Sequence, residues 1–79
     1  MEYTQGTKTM LELLGFAQCD YHKDVEIEYD VLSKLDIEAT INHTHKQVTF
    51  DFKGIPLHGI KNENQLLDFE ERVYGKITK

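Results

Sequence analysis

Three segments of the chain alternate between apolar and polar residues. They are residues 25–31, 35–42 and 47–53. Alternation with a period of two is typical of β-strands that are buried on one face, because successive side chains point to opposite faces of a sheet. The short connections at 32–34 and 42–46 predict two hairpins, with Asn42 opposite Gln47 in the second. The three strands are therefore expected to form one antiparallel sheet.

Two flanking segments have the signals of short helices. Thr9 and Glu12 have the spacing of a capping box, and the apolar residues around them predict a helix over 7–14 that Gly15 ends. The segment 62–74 begins with an asparagine, which is a preferred N-cap, and carries an apolar stripe at helical spacing. One helix is thus expected on each side of the strands.

The order of these elements predicts a single α+β domain over residues 1–79. Its antiparallel sheet has three or four strands, and the N-terminal and C-terminal helices pack on one face in α-β-β-β-α order. Residues 16–22 fit either more helix or a fourth strand, and the strand is the preferred interpretation, while residues 1–6 are expected to fray. The predicted buried face consists of Val25, Ile27, Tyr29, Val31, Leu35, Ile37, Ala39, Ile41, Val48, Phe50 and Phe52.

The opposite face of this predicted sheet is acidic. In the predicted register Glu28 lies opposite Glu38, Asp30 lies opposite Asp36, and Asp51 lies beside Glu38. Like charges directly opposite each other destabilise a sheet, so a face that keeps them is a candidate docking surface. The candidate partner-binding residues are Glu26, Glu28, Asp30, Asp36, Glu38 and Asp51. The competing interpretation is a solvated face that aids solubility and opposes aggregation.

The charge of the chain narrows the range of partners. The formal net charge is −5, and seven of the fourteen acids fall between Asp20 and Glu38. Direct binding to nucleic acid or to an anionic membrane requires basic patches, so neither is expected. A basic protein partner is compatible with this charge. The single cysteine excludes an internal disulfide, and without a leader or a long apolar run the expected location is the cytoplasm.

The element order resembles that of double-stranded RNA-binding domains, which also arrange three strands between two helices. The resemblance is limited to that order. In those domains a cluster of lysines begins the second helix, whereas here residues 61–65 read Lys-Asn-Glu-Asn-Gln. The RNA-binding residues are missing, so no function is carried over from the resemblance.

A metal-binding module is one alternative. Cys19 and His22 form a Cys-x-x-His pair, and His43 and His45 form a His-x-His pair, so the four residues could bind zinc. The paired Cys-x-x-Cys of most structural zinc sites is absent. The expectation is therefore that the protein binds no metal or other cofactor, and that these histidines are simply exposed.

Enzymatic activity is not expected. His58 lies in a Gly- and Pro-containing loop, where catalytic residues often occur, but no nucleophile motif accompanies it. The carboxylates lie on an open sheet face rather than in a cleft, so they lack the unequal environments of an acid–base pair. The other alternative is a structural protein that joins a copy of itself through a free sheet edge or the second helix. The apolar residues Leu67 and Tyr74 on the second helix are its only support.

These observations favour a small acidic interaction protein of the kind that phages and mobile elements encode. It would be an inhibitor that imitates nucleic acid: it would dock its acidic face onto a basic, nucleic-acid-handling protein, because regularly spaced carboxylates can replace phosphates. Such binding should weaken steeply with salt, since exposed charges are screened over about 8–10 Å at physiological ionic strength.

Overall fold

A computed structural model of the chain describes residues 1–75, and it has two helices and five strands in α-β-β-β-β-β-α order. The elements are α1 Thr7–Leu13, β1 Ala17–Lys23, β2 Glu28–Lys34, β3 Ile37–Asn42, β4 Gln47–Phe52, β5 Ile55–Leu57 and α2 Glu63–Tyr74. The strands form one antiparallel sheet in the order β1-β2-β3-β4-β5. The predicted α+β class with terminal helices is confirmed, whereas the prediction of three or four strands was too low.

The additional strands lie at the two edges of the sheet. The preferred strand at 16–22 is present as β1. The strand that the prediction missed is β5, a strand of three residues with Pro56 at its centre. A strand this short has no measurable alternation, and Pro56 cannot donate a ladder hydrogen bond, so the segment was predicted as a loop.

The β2–β3 hairpin differs most from the prediction. The strands turn at Leu35 and Asp36, with Lys34 opposite Ile37, rather than at 32–34. Asp30 consequently lies opposite Ile41, and Glu38 lies opposite Ser33. The positions shift by an odd number of residues, and an odd shift moves every side chain of β2 to the other face of the sheet.

The observed register is favoured by burial and by charge. It places Leu32 opposite Ala39 in the core, where Leu32 is completely buried, which is worth about 1.5–3 kcal/mol relative to exposure. It also removes both predicted acid–acid pairs between β2 and β3. Tyr29 and Val31 therefore point away from the helices, although Val31 is still buried as predicted. The other two predicted buried positions that differ are Val25 and Leu35, which are exposed in turns.

The core lies between the sheet and the two helices. Leu11 of α1 and Leu66 of α2 are completely buried against one face of β2, β3 and β4. The other members of this core cluster are Phe16, Leu32, Ile37, Ala39, Ile41, Val48, Phe50 and Ile60. Both helices thus cover the same face of the sheet, as predicted, and the other face has no covering layer within residues 1–75.

The helix ends agree with the prediction at α2 and differ at α1. The Asn62 side chain accepts a hydrogen bond from the Gln65 N–H at 2.9 Å, and Gly75 caps the C-terminus with a positive φ of 76°. At α1 the N-cap is Gly6, so Thr9 lies inside the helix and the predicted capping box is wrong. Gly15 ends α1 with a φ of 100°, as predicted.

A buried ion pair joins both helices to β2. Glu70 of α2 is only 2% exposed, and the Lys34 ammonium lies 3.0 Å from its Oε1. The same ammonium donates to the Leu14 carbonyl at the end of α1, at 2.7 Å. Oε1 accepts no well-aligned hydrogen bond within the described residues, so the lysine charge is its main compensation.

Candidate functional site: the open face of the sheet

The candidate site is the face of the sheet that points away from the helices, called the open face below. Paired residues in an antiparallel sheet share a face, so the strand register defines its membership. Its residues are Ala17, Asp20, His22, Tyr29, Val31, Ser33, Glu38, Thr40, Asn42, Gln47, Thr49, Asp51 and Pro56. Three of these residues are acidic and none is lysine or arginine, so the open face is negatively charged.

Two of its carboxylates are direct neighbours. Glu38 and Asp51 lie opposite each other in the β3–β4 ladder, as the sequence predicted together with the pairing of Asn42 and Gln47. Glu38 is exposed and Asp51 is half-buried. Within residues 1–75, no lysine, arginine or histidine nitrogen lies within the 4.0 Å of an ion pair to either. The repulsion between them is therefore not compensated locally.

The third carboxylate of the open face lies on the edge strand. A β-bulge interrupts β1 between Gln18 and Asp20, and Asp20 resumes pairing opposite Val31. Its Oδ1 accepts a hydrogen bond from the Tyr21 N–H at 2.8 Å. The bulge and this bond both oppose the addition of another strand at this edge, and Pro56 does the same at β5. The alternative of self-association through a sheet edge gains no support from these features.

Two predicted partner-binding residues lie on the helix side of the sheet instead. Glu28 is half-buried there, and its Oε2 accepts a hydrogen bond from the Tyr21 hydroxyl at 2.6 Å, which raises the pKa of Tyr21. Asp30 is buried, with 4% exposure. The predicted row of Glu28, Glu38 and Asp51 is therefore wrong, because the observed β2–β3 register places Glu28 on the other face of the sheet.

The two remaining predicted residues lie in turns. Glu26 is exposed in the β1–β2 turn, and its N–H donates to the Asp24 carboxylate at 2.8 Å. Asp36 is exposed in the β2–β3 turn, and its N–H donates to the Tyr74 hydroxyl at 3.0 Å, beside the end of α2. Of the six predicted residues, only Glu38 and Asp51 belong to the open face.

The β1–β2 turn is held by one carboxylate. Asp24 Oδ2 lies 2.8 Å from His22 Nε2, and Oδ1 accepts the N–H groups of Glu26 and Ile27. The hydrogen bond from His22 and then the two backbone bonds lower the pKa of Asp24 to about 2. His22 also stacks on Tyr29 of the open face, with ring centroids 5.3 Å apart. The turn is thus fixed by a charge that the alternation pattern did not identify.

A polar network surrounds Asp30 under α1. Its Oδ1 accepts a short hydrogen bond from Gln18 and lies 3.5 Å from the Lys8 ammonium, while Oδ2 lies 2.7 Å from His43 Nε2. The Tyr3 hydroxyl lies 2.7 Å from His43 Nδ1. An ionised carboxylate only accepts hydrogen bonds, so the His43 Nε2–H donates to Asp30, and in that tautomer Nδ1 accepts a hydrogen bond from the Tyr3 hydroxyl.

Both oxygens of Asp30 and both ring nitrogens of His43 have partners within the protein, so the cluster attaches the N-terminal segment and α1 to the sheet. The sequence could not reveal it, because Tyr3, Asp30 and His43 are far apart in the chain and belong to no spacing motif.

The four residues of the alternative metal-binding interpretation, Cys19, His22, His43 and His45, are not brought together as a metal site within residues 1–75. Cys19 Sγ contacts the Val31 carbonyl, His22 binds Asp24, and His43 binds Asp30. No group of three or more cysteine, histidine or acidic side chains within residues 1–75 has the geometry of a metal site.

No protein family, curated protein or solved structure matches the chain. Within residues 1–75 neither helix has the length and apolar character that crossing a bilayer requires.

Proposed function

We propose that this protein is a small, acidic, non-enzymatic interaction protein that docks its open face onto a basic, nucleic-acid-handling protein and inhibits it. The observation that carries the proposal is the charge of the open face. It presents Asp20, Glu38 and Asp51 without any lysine or arginine. The two strand lysines, Lys23 and Lys34, belong to the helix side.

The neighbouring Glu38 and Asp51 give the proposal a physical basis. Two carboxylates directly opposite each other cost about 0.2–1 kcal/mol relative to neutral residues. Neutral polar residues occupy the adjoining open-face positions, among them Ser33, Thr40 and Thr49, so the fold does not require acids there. A partner that supplies cationic side chains would convert this cost into binding energy.

A basic partner fits this surface in two ways. The net charge of −5 and the acidic face attract a cationic groove from a distance, which increases the rate of association. A groove that binds phosphates presents lysines and arginines, and arginine binds carboxylates and phosphates with the same fork of donors. The protein would therefore occupy the groove in competition with nucleic acid.

Affinity capture from cell lysate tests the proposal. The bait is the parent chain, compared with a double variant, Glu38→Gln with Asp51→Asn, that keeps shape and removes both charges. The matched control is Glu63→Gln with Glu71→Gln, which removes the same charge from exposed positions of α2. We expect a basic protein to be captured by the parent and the control, to be lost with the open-face variant, and to elute with salt or added DNA.

Two results would contradict the proposal. Equal capture by the parent and the open-face variant would mean that the open face is only a solvated surface. Capture that persists at high salt and is unaffected by DNA would exclude a charged, nucleic-acid-binding groove as the target, because screening weakens interactions between exposed charges.

A further inference from the structure

A groove lies between α2 and the segment that connects it to β5. Its volume is about 420 Å³, which falls in the range of about 300–1,000 Å³ that is typical of small-molecule sites. Pro56, Leu57 and Phe69 provide its apolar surface. Phe69 is half-buried and packs edge-on against Phe52, with ring centroids 5.4 Å apart, so this part of the groove is held by the core.

Opposite charges line the same groove. Asp68 and Arg72 both border it, four residues apart on α2, which is a spacing at which side chains on a helix are neighbours. Neither forms an ion pair within 4.0 Å with another residue of the described range 1–75. Arg72 is also the only arginine of the chain. The groove therefore offers one anion and one cation beside an apolar surface.

From this combination we infer that the groove binds a free α-amino acid with a large apolar side chain. The Arg72 guanidinium pairs with the α-carboxylate of the ligand through parallel hydrogen bonds. Asp68 accepts a hydrogen bond from the α-ammonium group, and the apolar side chain of the ligand lies against Leu57 and Phe69.

The two charges of the groove favour an amino acid over a ligand that has only a carboxylate or only an ammonium group. A simple carboxylic acid would place its negative charge near Asp68 without a compensating ammonium group, and a simple amine would leave Arg72 without an anion. His58 and Gln65 also border the groove and can donate further hydrogen bonds to the carboxylate. Apart from Pro56 at the edge of the sheet, the residues that line the groove lie outside the open face, and the inference does not depend on the function proposed for that face.

Titration of the protein with L-phenylalanine, followed by backbone amide chemical shifts, tests this inference. We expect saturable shifts confined to residues 56–60 and 65–72, with a dissociation constant of about 1 mM for a ligand of this size. N-acetyl-L-phenylalanine lacks the ammonium group, and L-phenylalaninamide lacks the carboxylate. Each should bind about tenfold more weakly, because each loses one charged hydrogen bond.

Two variants and two controls complete the test. Arg72→Gln should abolish the preference for L-phenylalanine over its amide, and Asp68→Asn should abolish the preference over its N-acetyl form. Lys46→Gln in the β3–β4 turn and Glu63→Gln at the start of α2 change charge outside the groove and should leave both preferences intact. The absence of saturable shifts, equal binding of the three ligands, or preferences that survive both groove variants would overturn the inference.

Discussion

The carboxylates on the two sides of the sheet differ in whether the protein supplies a cation beside them. On the helix side, the two buried carboxylates are both compensated: Glu70 lies against Lys34, and Asp30 lies among Gln18, Lys8 and His43. On the open face, the adjacent carboxylates of Glu38 and Asp51 have no cation within ion-pair distance in residues 1–75.

The difference separates charges that the fold needs from charges that it tolerates. A buried carboxylate without a partner would destabilise the fold by several kcal/mol, so the helix-side carboxylates need their partners for stability. Glu38 is exposed and Asp51 is half-buried, so water still screens their repulsion, which costs only about 0.2–1 kcal/mol. Stability alone therefore does not select this pair. The open-face acids are the ones for which a role outside the fold is the better explanation.

The largest effect is expected from the buried ion pair. Glu70→Ala removes the partner of a lysine that is mostly buried and should lower the free energy of unfolding by about 3–5 kcal/mol. The double change Glu70→Leu with Lys34→Met removes both charges together and should cost much less. Urea denaturation of the parent and both variants measures the difference. Equal losses for the single and double variants would show that the charges are not coupled.

A smaller loss is expected at the second buried carboxylate. Asp30→Asn keeps the shape of the side chain but weakens its charged hydrogen bonds to His43 and Lys8, and should lower the free energy of unfolding by about 1–3 kcal/mol. Lys8 is partly exposed, so its share is reduced by solvent screening. Thermal or urea unfolding measures this loss of stability. An unchanged stability would show that the network does not hold the N-terminal segment and α1 on the sheet.

Removing charge from the open face should stabilise the protein, in contrast to the two changes above. The double variant Glu38→Gln with Asp51→Asn removes the repulsion across the β3–β4 ladder and should raise the free energy of unfolding by about 0.2–1 kcal/mol. The same urea measurement checks it, with Glu63→Gln and Glu71→Gln as the matched control. A clear loss of stability would mean that these acids support the fold, and the contrast between the two faces would fail.

The smallest effect is expected from the β1–β2 turn, where the Asp24 side chain is about half exposed to solvent. Its pKa is lowered to about 2 in the folded protein, below its ordinary value, so its contribution to stability is present above about pH 4 and is lost as the pH falls toward 2. Asp24→Asn should therefore be slightly less stable than the parent at pH 5 and equally stable near pH 2. A difference that does not change with pH would contradict this role.

Local signals predicted the parts of the fold that depend on local chemistry. Asn62 and Gly75 delimit α2 as their residue types suggest, and the alternation in β3 and β4 gives the pairing of Glu38 with Asp51. Both members of the acid pair on the open face, Glu38 and Asp51, could therefore be identified from the sequence.

The prediction failed where a long-range choice decides the structure. Val31 and Leu32 are adjacent apolar residues of β2, so the sequence allows either one to face the helices. In the structure Leu32 faces the core. The turn then has Leu35 at a φ of 57°, a conformation that turn chemistry assigns to glycine or asparagine, so no local signal marks it. The groove beside Arg72 has no local motif either, because it forms only when residues 56–60 pack beside α2.

Binding of the captured basic partner to the parent and to the Glu38→Gln, Asp51→Asn variant, measured in parallel at low and high salt, tests the role of the open face most directly. The parent should bind tightly at low salt and lose affinity steeply as salt rises, since its carboxylates are exposed. The variant should bind weakly at low salt and show a shallower dependence on salt. The same affinity and the same salt dependence for both proteins would show that the open face does not bind the partner.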